Sequence, residues 1–266
     1  MAQAEALEAR YGQTHRTDRW WLEPLVTGSG LLLFVIYSSL VGVLGEVWSF
    51  EAISTHPTTG EETGIYISPF FEPLLHPSWA PDWVSPAIFI LWAPIGFRTT
   101  CYYYRRTYYR AYFLSPPACA VKEPASSYSG ESGFPLVLQN AHRWFMYVAL
   151  LFIPILWVGA VKSFHVPGEG FGIGVGSLVL TANAFLLMMY TIGCHSLRHW
   201  VAGGLNQFSR SPLRRLRRRG WEVFTVANEH HRLWAWTSLI WVGVTDLYIR
   251  LVAGDVLTDI NTWSNF

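Results

Sequence analysis

The sequence predicts an all-α polytopic membrane protein built as a bundle of five transmembrane helices. Three observations predict it. Five apolar windows are each long enough to cross a hydrocarbon core that takes about 20 residues per helix: residues 25–45, 84–104, 136–161, 172–195 and 224–252. Apolar residues make up 51% of the chain and charged residues 14%, a balance that suits a polytopic protein better than a soluble core of this length. Trp20, Trp21, Trp79, Trp83, Trp221 and Tyr248 flank the window ends, where amphipathic rings settle at a membrane interface.

Residues 1–22 mix acids and bases (Glu5, Glu8, Arg10, Arg16, Asp18, Arg19) without an apolar run. They read as a cytoplasmic arm rather than a cleaved signal. The first window then inserts the chain. Residues 46–83 hold no Lys or Arg, only Glu46, Glu51, Glu61, Glu62, Glu72 and Asp82, and are punctuated by Pro69, Pro73, Pro77 and Pro81. That composition predicts an ordered outer loop. By contrast, loop 105–135 and its approach carry Arg98, Arg105, Arg106, Arg110 and Lys122, and the region around loop 199–222 carries Arg198, Arg210, Arg214, Arg215, Arg217, Arg218 and Arg219. The excess of arginine predicts that both loops and the N-terminus are cytoplasmic and the C-terminus outside, in a bacterial plasma membrane. A net charge of +1 thus conceals a polarised molecule, with no general basic surface to suggest a nucleic-acid partner.

Up-and-down connectivity brings the metal-capable side chains to the cytoplasmic ends of the windows. Cys101 ends the second, Cys119 lies in the following loop, His142 opens the third, Cys194, His195 and His199 close the fourth, and His230 and His231 open the fifth. Ligating groups at membrane depth are costly and mark function, so the cluster predicts a buried metal or redox centre. Three cysteines on a reducing face argue against structural disulfides. Helical phase selects among the histidines. His231, Ser238 and Thr245 recur every seven residues on one stripe, which His230 leaves by about 100°. Thr181, Ala184, Thr191, His195 and His199 form a second small and polar stripe, bordered by Cys194.

Four centres compete for these ligands. Zinc lacks its usual paired Cys-x-x-Cys spacing. Haem b needs two histidines from different helices and leaves the cysteines without a task. A Rieske-type [2Fe–2S] centre takes two thiolates and two imidazoles, which the inventory supplies without the usual spacing motifs. A di-iron desaturase or hydroxylase would use His195 with His199 and His230 with His231, but needs more histidines than this face offers. A transporter using intramembrane histidines is the alternative outside redox chemistry.

The segments Thr100-Cys101-Tyr102-Tyr103-Tyr104-Arg105, Tyr108-Tyr109-Arg110, Pro116-Pro117-Ala118-Cys119-Ala120, Cys194-His195-Ser196-Leu197-Arg198-His199 and Ala235-Trp236 resemble one family. It is the membrane-anchor subunit of actinobacterial succinate dehydrogenase. The resemblance covers most of the chain from the first helix onward and implies a five-helix anchor with a membrane-embedded Rieske-type cluster in place of haem. It further implies flavoprotein and iron–sulfur subunits as partners, with menaquinone or ubiquinone as electron acceptor and a higher oligomer as a compatible state. Under that reading Cys101, Cys119 and Cys194 supply two thiolates, and His142, His195, His199 and His231 two imidazoles. Tyr104, Arg143, Trp144 and Arg198 lie beside those candidates and are expected to line the quinone slot. Arg105, Arg106, Arg110 and residues 214–219 are expected to dock the iron–sulfur subunit.

Overall fold

The computed structural model describes residues 12–43, 51–55, 62–81, 83–124, 132–134, 136–166 and 168–263. Much of the N-terminal arm, with Glu5, Glu8 and Arg10, and the outer-loop residues Glu46, Glu61 and Asp82 therefore lie outside the described residues. Among the described residues there are eight α-helices: α1 (Leu22–Val43), α2 (Ala87–Thr99), α3 (Tyr102–Tyr108), α4 (His142–Lys162), α5 (Val175–Ile192), α6 (His195–Ala202), α7 (Pro212–Glu229) and α8 (His231–Ala253). Two small antiparallel hairpins join them, β1 (Glu51–Thr55) with β2 (Glu62–Ile67), and β3 (His165–Val166) with β4 (Gly170–Phe171). Three helical segments, Leu22–Val43, Leu136–Lys162 and Val175–Ile192, are long and apolar enough to cross a membrane, and α2 is a shorter apolar helix.

The other two windows are interrupted. The second breaks after Thr99 because Cys101 adopts extended backbone, φ −69° and ψ 136°, and starts α3 afresh. The fifth begins at His231 rather than at residue 224, since 212–229 form a separate helix rich in arginine, α7. His231, Arg232, Asp246 and Arg250 also make α8 less apolar than a simple span. In the fourth, α5 stops at Ile192 and His195 and His199 belong to α6, so the expected stripe does not run on through them.

The chain forms two compact units. The first comprises Met1–Ile36 and Arg98–His142. Here Arg106 and Arg110 approach Glu23 at 3.6 Å each, and the Tyr112 hydroxyl donates to the Gly28 carbonyl at 2.7 Å. The segment at 12–16 laces to the loop after α3. Gly12 N donates to the Lys122 carbonyl, Lys122 N returns a bond to Gln13, and Arg16 donates to the Cys119 carbonyl.

The second unit comprises Tyr37–Phe97 and Arg143–Phe266. Its core gathers Ile65, Tyr66, Leu156, Ala160, Leu180, Ala184, Ile249 and Trp263. Helix α5 presents Ser177, Ala184 and Thr191 at intervals of seven, and α8 presents His231, Ser238 and Thr245, all of them buried. Small residues let the backbones of α5 and α8 approach closely, and Trp241 Nε1 bonds the Val179 carbonyl across them at 3.1 Å. Two buried carboxylates anchor the end of this unit. Asp246 accepts from Tyr37 at 2.5 Å, from Ser68, and from Arg250 Nε at 2.8 Å. Asp259 accepts from Tyr66 at 2.8 Å, from Tyr248, and from Gly176 N at 3.0 Å in the first turn of α5.

Asp246 is fully buried and Arg250 is 9% exposed, so removing one partner strands the other charge. Asp246→Ala should cost about 3–5 kcal/mol, read as a fall in the thermal midpoint of the purified protein, and Asp246→Leu with Arg250→Met should recover most of it. Glu72 offers a pH test. Burial pushes its carboxyl from 4.5 up to about 7 against the pull of Lys162. A folded pKa above the unfolded one contributes stability below the unfolded value and loses it as pH rises through the folded value. Melting between about pH 5 and about pH 8 should therefore fall in the native protein and flatten in Glu72→Gln.

Candidate metal centre

Four ligand-type residues occupy the same kind of position, a junction between two helical segments. Cys101 is the N-cap of α3 and Cys194 the N-cap of α6, both in extended backbone and neither bonding the helix through its side chain. His142 is the first residue of α4 and His231 the first residue of α8. At the two cysteine-capped starts, backbone N–H groups lack intrahelical acceptors, an environment that favours an anionic ligand. Both cysteines are buried, Cys101 at 2% and Cys194 at 1% exposure.

Within the first unit, Thr100 Oγ1 lies 2.9 Å from His142 Nδ1. The residue before Cys101 thus orients an imidazole. Within the second unit, the residue before Cys194 also lies close to an imidazole. Gly193 caps α5, and a Cβ added there would lie 3.0 Å from His231 Nδ1. A side chain at this position would press on the ring. Asn228 Nδ2 donates to the Gly193 carbonyl at 2.7 Å, and the His231 ring stacks on Tyr190 at 5.1 Å with planes 4° apart. Tyr190 in turn packs on Phe97 at 5.2 Å. A cysteine whose preceding residue lies against an imidazole is found in both units.

The other expected ligands are placed differently. Cys119 is exposed in its loop, and its described bonds run through its carbonyl. His195 and His199 are exposed on α6. Among the described residues no three His, Cys, Asp or Glu side chains gather into a metal-binding group. Cys101, Cys194 and His231 are buried and His142 is half-buried, two thiols and two imidazoles in all.

The expected quinone residues divide as well. Tyr104 is 2% exposed, and Arg98 both bonds its hydroxyl and lies over its ring at 5.5 Å. Arg198 holds α6 to α7, donating to Thr225 Oγ1 at 2.9 Å and stacking on Trp221 at 4.3 Å. Both side chains thus have partners within the protein. Arg143 and Trp144 are exposed beside His142. Of the docking arginines, Arg106 and Arg110 face Glu23 and Arg217 bonds the Val201 carbonyl at 2.5 Å, while Arg215, Arg218 and Arg219 are exposed. Residue chemistry alone did not point to Thr100, Tyr190, Gly193 or Asn228. The legible signal was the Thr-Cys and Gly-Cys steps and the spacing of Asn228 to His231.

Several helices long and apolar enough to span define the class as a multi-pass membrane protein. The family model of the actinobacterial succinate dehydrogenase subunit SdhC matches residues 22–255. A chain in the solved Mycobacterium smegmatis Sdh1 complex in the apo form is 38% identical, with a TM-score of 0.80 and 94% of each chain covered. No curated protein matches. The chain belongs to the SdhC family and is a membrane subunit of succinate dehydrogenase.

The structural assignment of Arg198 has a direct test. Arg198→Ala should loosen α6 from α7 by about 1–2 kcal/mol, seen as faster amide hydrogen exchange over 195–202. Thr225→Val should give a smaller change of the same sign.

Proposed function

We propose that this chain is the five-helix membrane anchor of a succinate:quinone oxidoreductase, relaying electrons from an iron–sulfur subunit through an intramembrane centre to quinone. The observation that carries it is the matched placement of Cys101, His142, Cys194 and His231 at junctions between helical segments. These residues would hold a Rieske-type [2Fe–2S] centre, which supplies one-electron transfer when bound. A haem b on His142 and His231 would leave two buried thiols without a role, so the cluster is favoured.

Two features support the span count. Helix α8 has 23 residues, about 35 Å at 1.5 Å per residue, enough to cross, and the Asp246–Arg250 pair neutralises its charges internally. α2 and α3 together replace the second window. Positive-inside then puts α7 and the N-terminus in the cytoplasm and the C-terminus outside.

The protein's own residues do the positioning. Thr100 and Gly193 set the two imidazoles, Asn228 locks the turn before Cys194, and the Tyr190 ring fixes the plane of His231. Arg143 and Trp144 border the quinone slot, where an exposed guanidinium can hydrogen-bond a quinone carbonyl and an indole can stack on the ring. The iron–sulfur and flavoprotein subunits sit on the cytoplasmic side, with Arg215, Arg218 and Arg219 as the charged surface.

The ligand set is tested by electron paramagnetic resonance and visible absorbance of the purified complex. Ala substitution at Cys101, His142, Cys194 or His231 should abolish the signal. Substitution at Cys119, His195 or His199 should keep it, and loss there with retention in Cys194→Ala overturns the assignment. For the slot, Arg143→Ala and Trp144→Ala should depress succinate-to-quinone turnover about tenfold or more while sparing succinate oxidation with a soluble dye. Equal loss of both activities would put these residues in assembly instead.

A further inference from the structure

A cleft of about 410 Å³ opens between α4 and the residues that follow β2 in the second unit. Its wall is almost wholly apolar, with Ile65, Ile67, Leu74, Ile155 and Val158 among the lining residues. Two ionisable groups break that pattern, Glu72 and Lys162. Glu72 is 9% exposed, and its carboxyl lies against Gly159, where any Cβ would collide with it. The glycine therefore makes room for a carboxyl inside an apolar wall. Among the described residues Glu72 has no hydrogen bond and no ion pair, and a largely buried carboxyl without partners is costly. Lys162 is the exposed last residue of α4, near enough for its charge to act on Glu72 but not paired with it.

The cleft also lies at one end of a candidate span. α4 carries exposed Leu151, Val158 and Val161 along its length, a surface suited to acyl chains. Its terminal Lys162 falls where headgroups lie when the helix crosses. A ligand matching this site needs a cation for Glu72, an anion for Lys162, and an apolar tail for the wall. We propose that the cleft binds a zwitterionic phospholipid, its ammonium on Glu72, its phosphate on Lys162 and an acyl chain along the α4 wall. An anionic phospholipid without an amine would satisfy Lys162 but bring a second negative charge toward Glu72, so the site discriminates between headgroups. Burial raises the Glu72 carboxyl toward neutrality, and a headgroup ammonium would hold it ionised. The inference goes beyond the redox reading and does not depend on it.

The test is lipid retention by the full-length protein in its native assembly, delipidated in detergent and titrated with phosphatidylethanolamine or phosphatidylglycerol under native mass spectrometry. Wild type should retain phosphatidylethanolamine about fivefold more tightly, the scale of one partly buried charge pair. Glu72→Gln should bring the two lipids to parity, and Lys162→Gln should weaken both. Since Lys162 is exposed, its substitution keeps the test valid even where Glu72→Gln folds poorly. Equal retention of both lipids by wild type, full selectivity in Glu72→Gln, or undiminished retention in Lys162→Gln overturns the proposal.

Discussion

The second unit depends on keeping a buried carboxylate satisfied. Asp246 sits on an otherwise apolar stretch of α8, where an isolated charge would be prohibitive, and three donors converge on it. Each donor comes from a different part of the chain: Tyr37 from α1, Ser68 from the segment after β2, and Arg250 from the next turn of α8 itself. Arg250 is completed by the face of Phe71, 5.5 Å away. One charge thus fixes where α8, the late part of α1 and the post-β2 segment meet. Hydrophobic burial, being non-directional, would leave their register free.

Asp259 repeats the logic at the start of α5. Its carboxylate accepts the Gly176 amide, satisfying an orphan donor of the first helical turn, while Tyr66 and Tyr248 supply hydroxyls. With α5 and α8 held near these ends by polar anchors and close-packed through Ser177, Ala184, Ser238 and Thr245, their opposite ends are placed by rigid rods. Gly193, Cys194 and His231 lie there. The candidate centre is thus positioned by interactions more than two helical turns away, and a loop-borne residue such as Cys119 has no such support.

The same contrast separates the candidate ligands by how firmly each is held. A residue at a helix start is fixed by the helix behind it, whereas His195 and His199 project from the exposed side of a short helix that α7 covers only on the other. The break after Thr99 and the break at Gly193 each spend a stretch of continuous helix to create a new N-terminus with a cysteine at its cap. Membrane helices tolerate such breaks where protein surrounds the freed backbone groups. Here Asn228 and the Tyr108 hydroxyl, which bond the Gly193 and Thr99 carbonyls, do so.

By itself the sequence determined the helical membrane class, the polarised arginines, the stripe of His231, Ser238 and Thr245, and the short list of cysteines and histidines. These follow from composition and period, which are local properties of the chain. The family, too, was legible in its cysteine-bearing segments. Where helices break was not legible, because Cys101 and Gly193 lie inside windows whose apolar content continues across them. Nor was the division of Tyr104 and Arg198 from Arg143 and Trp144, since an arginine reads alike whether it stacks on Trp221 or faces a membrane. Partners such as Thr100 for His142, Tyr190 for His231 and Tyr37 for Asp246 are distant in sequence, by as much as 209 positions. Only the tertiary structure decides these, because a hydrogen bond or ring stack depends on distance and angle between elements that the chain order leaves unspecified.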